Sequence, residues 1–247
     1  MKTTINPKEI SQFDAMADDW WNENGKCKPL HELNPVRLSY LRDKICIHFK
    51  RDPNEHQPLK DLKIIDIGCG GGILCEPLAR MGAIVTGVDA SEKNITVAID
   101  HAKSQGLKIK YIHTSAEDIS QKRNRYDIVT ALEIIEHVDH PDVFIKACST
   151  LVKKDGLFFL STLNRTAKSY ALGIIAAEHL LRWVPVGTHD WHKFKKPSEL
   201  ATLLRDQNVS VTDICGLIYH PIKRLFELSP KDIAVNYLMT SVKKSSK

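Results

Sequence analysis

Lys63–Leu74, KIIDIGCGGGIL, is an apolar strand that runs into a glycine-rich turn. Asp66 sits near the strand's end, and four glycines fill the five positions Gly68–Gly72 before a helix starts. Glycine allows a sharp turn and lets the backbone approach a ligand that a Cβ would block. A turn of this kind between a strand and a helix places the ligand at a helix N-terminus, over the carboxyl end of a parallel sheet. The stretch therefore predicts an α/β fold that binds a nucleotide-like cofactor.

Outward from this turn, strands and helices alternate. Helix Ile73–Met81 is followed by strand Ala83–Asp89, helix Ser91–Gln105 and strand Lys108–His113. Next come strand Tyr126–Ala131, helix Pro141–Val152, strand Gly156–Ser161 and helix Pro197–Asp206. Such alternation implies a parallel sheet with right-handed crossovers. Two β-rich runs, Val209–Tyr219 and Ala234–Val242, close the chain. Ahead of the core, Pro7–Trp21 reads as a short helix carrying Phe13, Met16, Trp20 and Trp21, and Pro35 opens a helix to about Phe49. The polar, Pro-broken stretch Arg51–Gln57 divides the chain into an N-terminal helical extension, residues 1–57, and a core, residues 58–247.

Composition narrows the function classes. With 247 residues and 43% hydrophobic content the chain can bury one α/β core with extensions. Six cysteines without C-x-x-C pairs indicate neither a disulfide framework nor a zinc site, and suit a reducing cytoplasm. Met1–Trp21 holds four acids and no apolar core of a secretory signal, and no uncharged stretch is long enough to span a bilayer. The net charge of +5 permits an anionic partner without demanding one.

The dinucleotide pattern G-x-G-x-x-G fits poorly, because its third glycine would fall on Ile73. The acid at Asp66 with the order GCGGG resembles the first motif of class I S-adenosylmethionine-dependent methyltransferases instead. Asp89, closing the second strand, is placed to accept both ribose hydroxyls. The run Thr130–His140, TALEIIEHVDH, lies after the strand next to the first, beside the cofactor crevice. If it turns helical, Glu133, Glu136 and His137 share a face. They could then hold Mg²⁺ with water or substrate. His137 could instead act alone as a general base, or the acids could simply offset a helix dipole. Methyl transfer to a phenol needs such help: with a pKa about 10, only ~0.1% is ionised at pH 7, a deficit of about 4 kcal/mol. EIIEH is not the Asn/Asp-Pro-Pro-Tyr/Phe motif of base-methylating enzymes, so no nucleic-acid partner is expected.

FDAMADDWW, NPVRL, DIGCGGG, EIIEHV, STLNR, GTHDWHKF and DIAVNYL, in that order from about Phe13 to Thr240, resemble the ubiquinone biosynthesis O-methyltransferase family. The resemblance implies a Rossmann-like, seven-stranded sheet, mostly parallel with a C-terminal antiparallel hairpin and helices on both faces. It implies S-adenosylmethionine-dependent O-methylation of 2-polyprenyl-6-hydroxyphenol and 3-demethylubiquinol. Cofactor contacts carry over onto Arg37 (methionyl carboxylate), Gly68, Gly70, Asp89 (ribose) and Leu132 (adenosine side). The adenine edge is expected at Ala116 and Glu117, with Ser115 where many relatives carry Asp. Catalytic roles fall on His137, Glu133 and Glu136. In some relatives this last set is a magnesium site.

The inserted segment at about 164–190 combines Leu172, Ile174, Ile175, Leu181 and Trp183 with Arg165, Lys168 and Arg182. It suits a peripheral membrane surface rich in anionic lipid, a lid over a lipid tail, or a core-packed helix. His189, Asp190 and His192 read as polar residues closing a loop at the pocket mouth. Other proteins of ubiquinone synthesis are candidate partners, on the inner face of the cytoplasmic membrane. Two rival functions are a methyltransferase for another small-molecule, RNA or protein acceptor, and a non-catalytic cofactor-binding subunit.

Overall fold

A computed structural model describes residues 3–172, 190–221, 223 and 225–244. Its centre is one sheet. β1 (Lys63–Ile67), β2 (Ile84–Asp89), β3 (Lys110–His113), β4 (Tyr126–Leu132) and β5 (Val152–Leu163) are parallel, and β8 (Asn236–Lys243) runs antiparallel to both β5 and β6 (Val209–His220). The strand order is β3-β2-β1-β4-β5-β8-β6-β7. The sheet has eight strands rather than seven: β7 (Leu225–Ser229) pairs antiparallel with β6 at the outer edge. β7 is only five residues long, LFELS, and opens on two adjacent apolar residues, so it gives a weak periodic signal.

The β1 residues after Lys63 are buried, as a strand covered on both faces requires. Ile64 packs into the core beneath α2 (Lys28–Phe49) and α3 (Cys75–Arg80), with Leu41, Ile45 and Leu78. Ile65 and Ile67 face the other core, beneath α5 (Ala116–Ser120) and α6 (Pro141–Leu151), with Ile119, Phe144 and Phe158. The remaining α-helices among the described residues are α1 (Pro7–Asp14), α4 (Glu92–Ser104), the single turn α7 (Ala167–Ser169) and α8 (Pro197–Arg205). Ser91 caps α4 by accepting from Asn94 N.

Two helix expectations change. α2 starts at Lys28 and runs through Pro35. Pro29, in its first turn, fills the position where a missing N–H costs nothing. The apolar face of the helix then outweighs the one bond lost at Pro35. Thr130–His140 is not a helix: after β4 it holds only a short 3-10 turn, Ile135–His137.

Candidate active site

A cavity of about 230 Å³ opens at the carboxyl ends of β1, β2 and β4. Gly68 and Gly70 (φ +75° and +52°) set its floor, and neither could carry a side chain. A Cβ would meet Ile134 Cδ1 at 2.2 Å from Gly68, and the Trp20 ring at 2.4 Å from Gly70. Trp20 donates to Asn94 Oδ1 (2.8 Å), and Trp21 donates to the Gly71 carbonyl (2.9 Å). The N-terminal segment thus packs directly on the glycine turn.

Of the expected cofactor residues, Arg37, Gly68, Gly70, Asp89 and Leu132 all line this cavity. The Asp89 carboxylate accepts from Gly70 N at 2.9 Å and Ser91 N at 2.8 Å, which locks β2 to the turn. Burial pushes its pKa up, and these bonds pull it back. Arg37 is buried; its Nη2 donates to Asn34 Oδ1 at 3.3 Å, while its Nε has no hydrogen-bond partner. A buried guanidinium N–H without a partner at the cavity wall fits a carboxylate ligand such as the methionyl group. Burial lowers the Arg37 pKa, opposed by the negative charges of Glu133 and Asp66. Burial also pushes Asp66 up to about 6, against hydrogen bonds from Thr130 and Cys75.

Ala116 and Ser115 line the cavity as well, but Glu117 does not. Its Oε1 accepts from Thr4 Oγ1 at 2.6 Å, so it holds the N-terminal strap instead. Ser115 caps α5, accepting from Asp118 N at 3.0 Å.

The acidic set after β4 is also divided. Glu133 and His137 line the cavity; Glu136 is buried outside it and accepts from Thr162 Oγ1 at 2.9 Å. Glu133 has φ +51°, a left-handed conformation that is strained for a carboxylate residue. Two partners hold it there. Its N–H meets Ser161 O (3.1 Å) and Oγ (3.0 Å), and its carboxylate accepts from Ser161 Oγ (2.6 Å) and Asn236 Nδ2 (3.3 Å). His137 Nδ1 meets Glu9 Oε2 at 2.9 Å, and Phe13 packs edge-on to the ring with centroids 5.2 Å apart. Lys193 Nζ reaches the other Glu9 oxygen at 3.0 Å. Burial lowers the His137 pKa, but the Glu9 hydrogen bond and the surrounding carboxylates prevail and raise it.

Glu133, Glu136 and His137, expected to converge as a magnesium site, each hold a protein partner in this structure. Among the described residues no group of three or more His, Cys, Asp or Glu side chains is arranged to hold a metal ion. The physical reason is the missing helix: a left-handed Glu133 and a 3-10 turn send the three side chains to different partners. Asp190 accepts from His192 N (2.9 Å) and caps the turn Trp191–Lys193. His189, Ile174, Leu181 and Trp183 lie outside the described residues. Sequence reasoning missed Glu9, Thr4, Ser161, Asn236 and Lys193. Of these, Ser161 stands in STLNR, Lys193 in GTHDWHKF and Asn236 in DIAVNYL, whereas Glu9 and Thr4 stand in no motif.

A family model for a methyltransferase domain matches residues 37–214. Magnesium protoporphyrin IX methyltransferase from Synechocystis PCC 6803, solved with bound SAH, superimposes with a TM-score of 0.65. It is 21% identical, covering 96% of this chain and 100% of that one. Fold, cavity and family model together define a class I methyltransferase. The ubiquinone biosynthesis O-methyltransferases of Roseobacter denitrificans and Bartonella quintana are 50% and 49% identical, over 98% and 96% of both chains respectively. The chain belongs to the ubiquinone biosynthesis O-methyltransferase family and is an S-adenosylmethionine-dependent enzyme.

Proposed function

We propose that this chain transfers a methyl group from S-adenosylmethionine to a phenolic hydroxyl of 2-polyprenyl-6-hydroxyphenol and of 3-demethylubiquinol, with His137 as general base. The observation that carries it is the shared cavity. Arg37, Gly68 and Asp89 line one part and Glu133 and His137 another, in a chain half identical to enzymes of ubiquinone synthesis.

S-adenosylmethionine supplies an electrophilic methyl on a sulfonium, so the acceptor oxygen must gain anionic character. Arg37 would bind the methionyl carboxylate, Asp89 the ribose hydroxyls, and Leu132 would pack on the adenosine side. His137, made more basic by Glu9, would take the phenolic proton. A positioned base of this kind contributes about 10²- to 10⁴-fold. Residues 1–57 act as cover and residues 58–247 as core. Glu133, Glu136 and His137 spend donor atoms on Ser161, Asn236, Thr162 and Glu9, so the set does not fit a resident divalent ion. No step is routed through one.

The polyprenyl tail requires an apolar route. No helix among the described residues is long and apolar enough to cross a membrane. Exposed Tyr170 and Leu172, beside Arg165 and Lys168, suit contact with an anionic lipid surface. Sedimentation with anionic vesicles at low and high salt tests that contact. For the reaction, the purified chain is incubated with S-adenosylmethionine and a short-tailed catechol, and product is measured by mass spectrometry. A mass gain of one methyl on the catechol supports the assignment. Calorimetric cofactor binding without product would make the chain a non-catalytic subunit.

A further inference from the structure

We propose that Glu9 is a positioning residue for the methyl transfer: from α1, it clamps His137 and ties Lys193 to the same point. This role rests on His137 being the base. Glu9 lies outside the stretch 37–214 that matches the methyltransferase-domain model, so the core fold does not supply it.

Three observations support the assignment. First, the two Glu9 oxygens serve two remote segments, His137 Nδ1 at 2.9 Å and Lys193 Nζ at 3.0 Å. A carboxylate on Nδ1 fixes the ring plane and, in neutral imidazole, leaves the lone pair on Nε2. Second, Phe13, one turn further along α1, meets the same ring edge-on at 85°. Carboxylate and aromatic ring together restrict the imidazole more than either would alone. Third, α1 buries none of its own residues fully, and only Phe13 packs against an apolar cluster, that of Ala17, Trp20, Cys27 and Ile73. Polar contacts tie its N-terminal end to the His137 loop. Asn6 Nδ2 donates to Asp139 Oδ1 at 2.8 Å, and Asp139 N donates to the Thr4 carbonyl at 3.1 Å. A helix docked by hydrogen bonds onto the loop that carries the base, with a carboxylate aimed at that base, is built to hold geometry rather than to fill a core.

The test is a double-mutant cycle in the full chain, with S-adenosylmethionine and a short-tailed catechol. Glu9→Ala should lower kcat about 10- to 100-fold, the scale of a misplaced reacting group. Cofactor affinity by calorimetry should stay within about threefold, because no cofactor contact is touched. Glu9→Gln keeps a carbonyl oxygen for Nδ1 and should recover most of that loss. In a His137→Ala background, Glu9→Ala should cost nothing further. The positioning role is overturned if Glu9→Ala turns over like wild type, if Glu9→Gln is as slow as Glu9→Ala, or if the two losses simply multiply. If His137→Ala itself keeps wild-type kcat, the base assignment fails and Glu9 falls with it. That outcome is distinct from an active-site histidine that matters and a Glu9 that does not. Should Glu9→Ala fail to fold, Glu9→Leu, which fills the same space without an acceptor oxygen, takes its place in the cycle with the same expected loss and the same overturning results.

Discussion

The cofactor part of the cavity and the acceptor part are built by different means. Around the cofactor, the partners that shape the turn are close in sequence: Gly70 and Asp89 are 19 residues apart and Asp89 and Asn94 five, with Trp20 and Trp21 laid over them from 74 and 50 residues away. Around the acceptor they are distant. Glu9 meets His137 across 128 residues and Lys193 across 184, and Asn236 reaches Glu133 across 103. One part is a local strand–turn–helix device, and the other exists only once the chain has closed on itself. Substitutions near the acceptor should therefore act on turnover, and those near the cofactor on affinity.

The largest expected effect is at His137. His137→Ala should lower kcat about 10²- to 10⁴-fold while calorimetric S-adenosylmethionine affinity stays within about threefold. Loss of affinity on the same scale would mean that the two parts are not separable. Next is Arg37→Met, which removes a charge-assisted pair worth about 1.5–3 kcal/mol and should weaken cofactor binding about 10- to 150-fold. Arg37 also feels the charges of Glu133 and Asp66, so it sharpens the comparison. With saturating cofactor its kcat should approach wild type. A persistent kcat defect would assign Arg37 to both parts.

The same contrast explains what could be read from sequence. Asp66, the glycine turn and Asp89 are legible because their geometry is set by neighbours in the chain: a strand end, a turn and a second strand end. The wider sheet follows from alternation of apolar runs, apart from short β7. The contact of Glu117 with Thr4 was not legible, because the two lie 113 residues apart. The backbone of Glu133 was not legible for a different reason. Its i, i+3, i+4 pattern is helical, but Ser161 and Asn236 hold it at φ +51°, which no local periodicity reveals. Glu9 carries no pattern at all; an acid in the first turn of a helix is ordinary.

A pH measurement probes the long-range contact directly. Burial would raise the Glu9 pKa, but hydrogen bonds from His137 and Lys193 hold it down from 4.5 to about 2. A depressed carboxylate stabilises the fold above its unfolded pKa, and that contribution is lost as pH falls from 4.5 towards 2. Because Glu9 is partly exposed, the amount is reduced to about 1–2 kcal/mol. Glu9→Gln should therefore be less stable than wild type in urea at pH 7, and the gap should narrow steadily below pH 4.5. A gap that is constant with pH would show that the pair contributes packing and not charge.

The smallest expected effect concerns a divalent ion at the acceptor. Mg²⁺ demands near-octahedral oxygen ligands and gives up its waters reluctantly. To take one here, Glu133 would have to release Ser161 Oγ at 2.6 Å and Asn236, and His137 would have to turn from Glu9. Glu136 would also have to leave Thr162 and its buried position. Each exchange breaks a formed hydrogen bond, and burial already disfavours the charged form of Glu136. Exhaustive chelation should therefore change turnover by less than about twofold, with cofactor affinity untouched. A collapse in rate restored by Mg²⁺ would reverse that conclusion. It would mean that the acceptor part rearranges when substrate binds, with Glu133 and His137 drawn from their present partners, whereas the cofactor part keeps its locally fixed geometry.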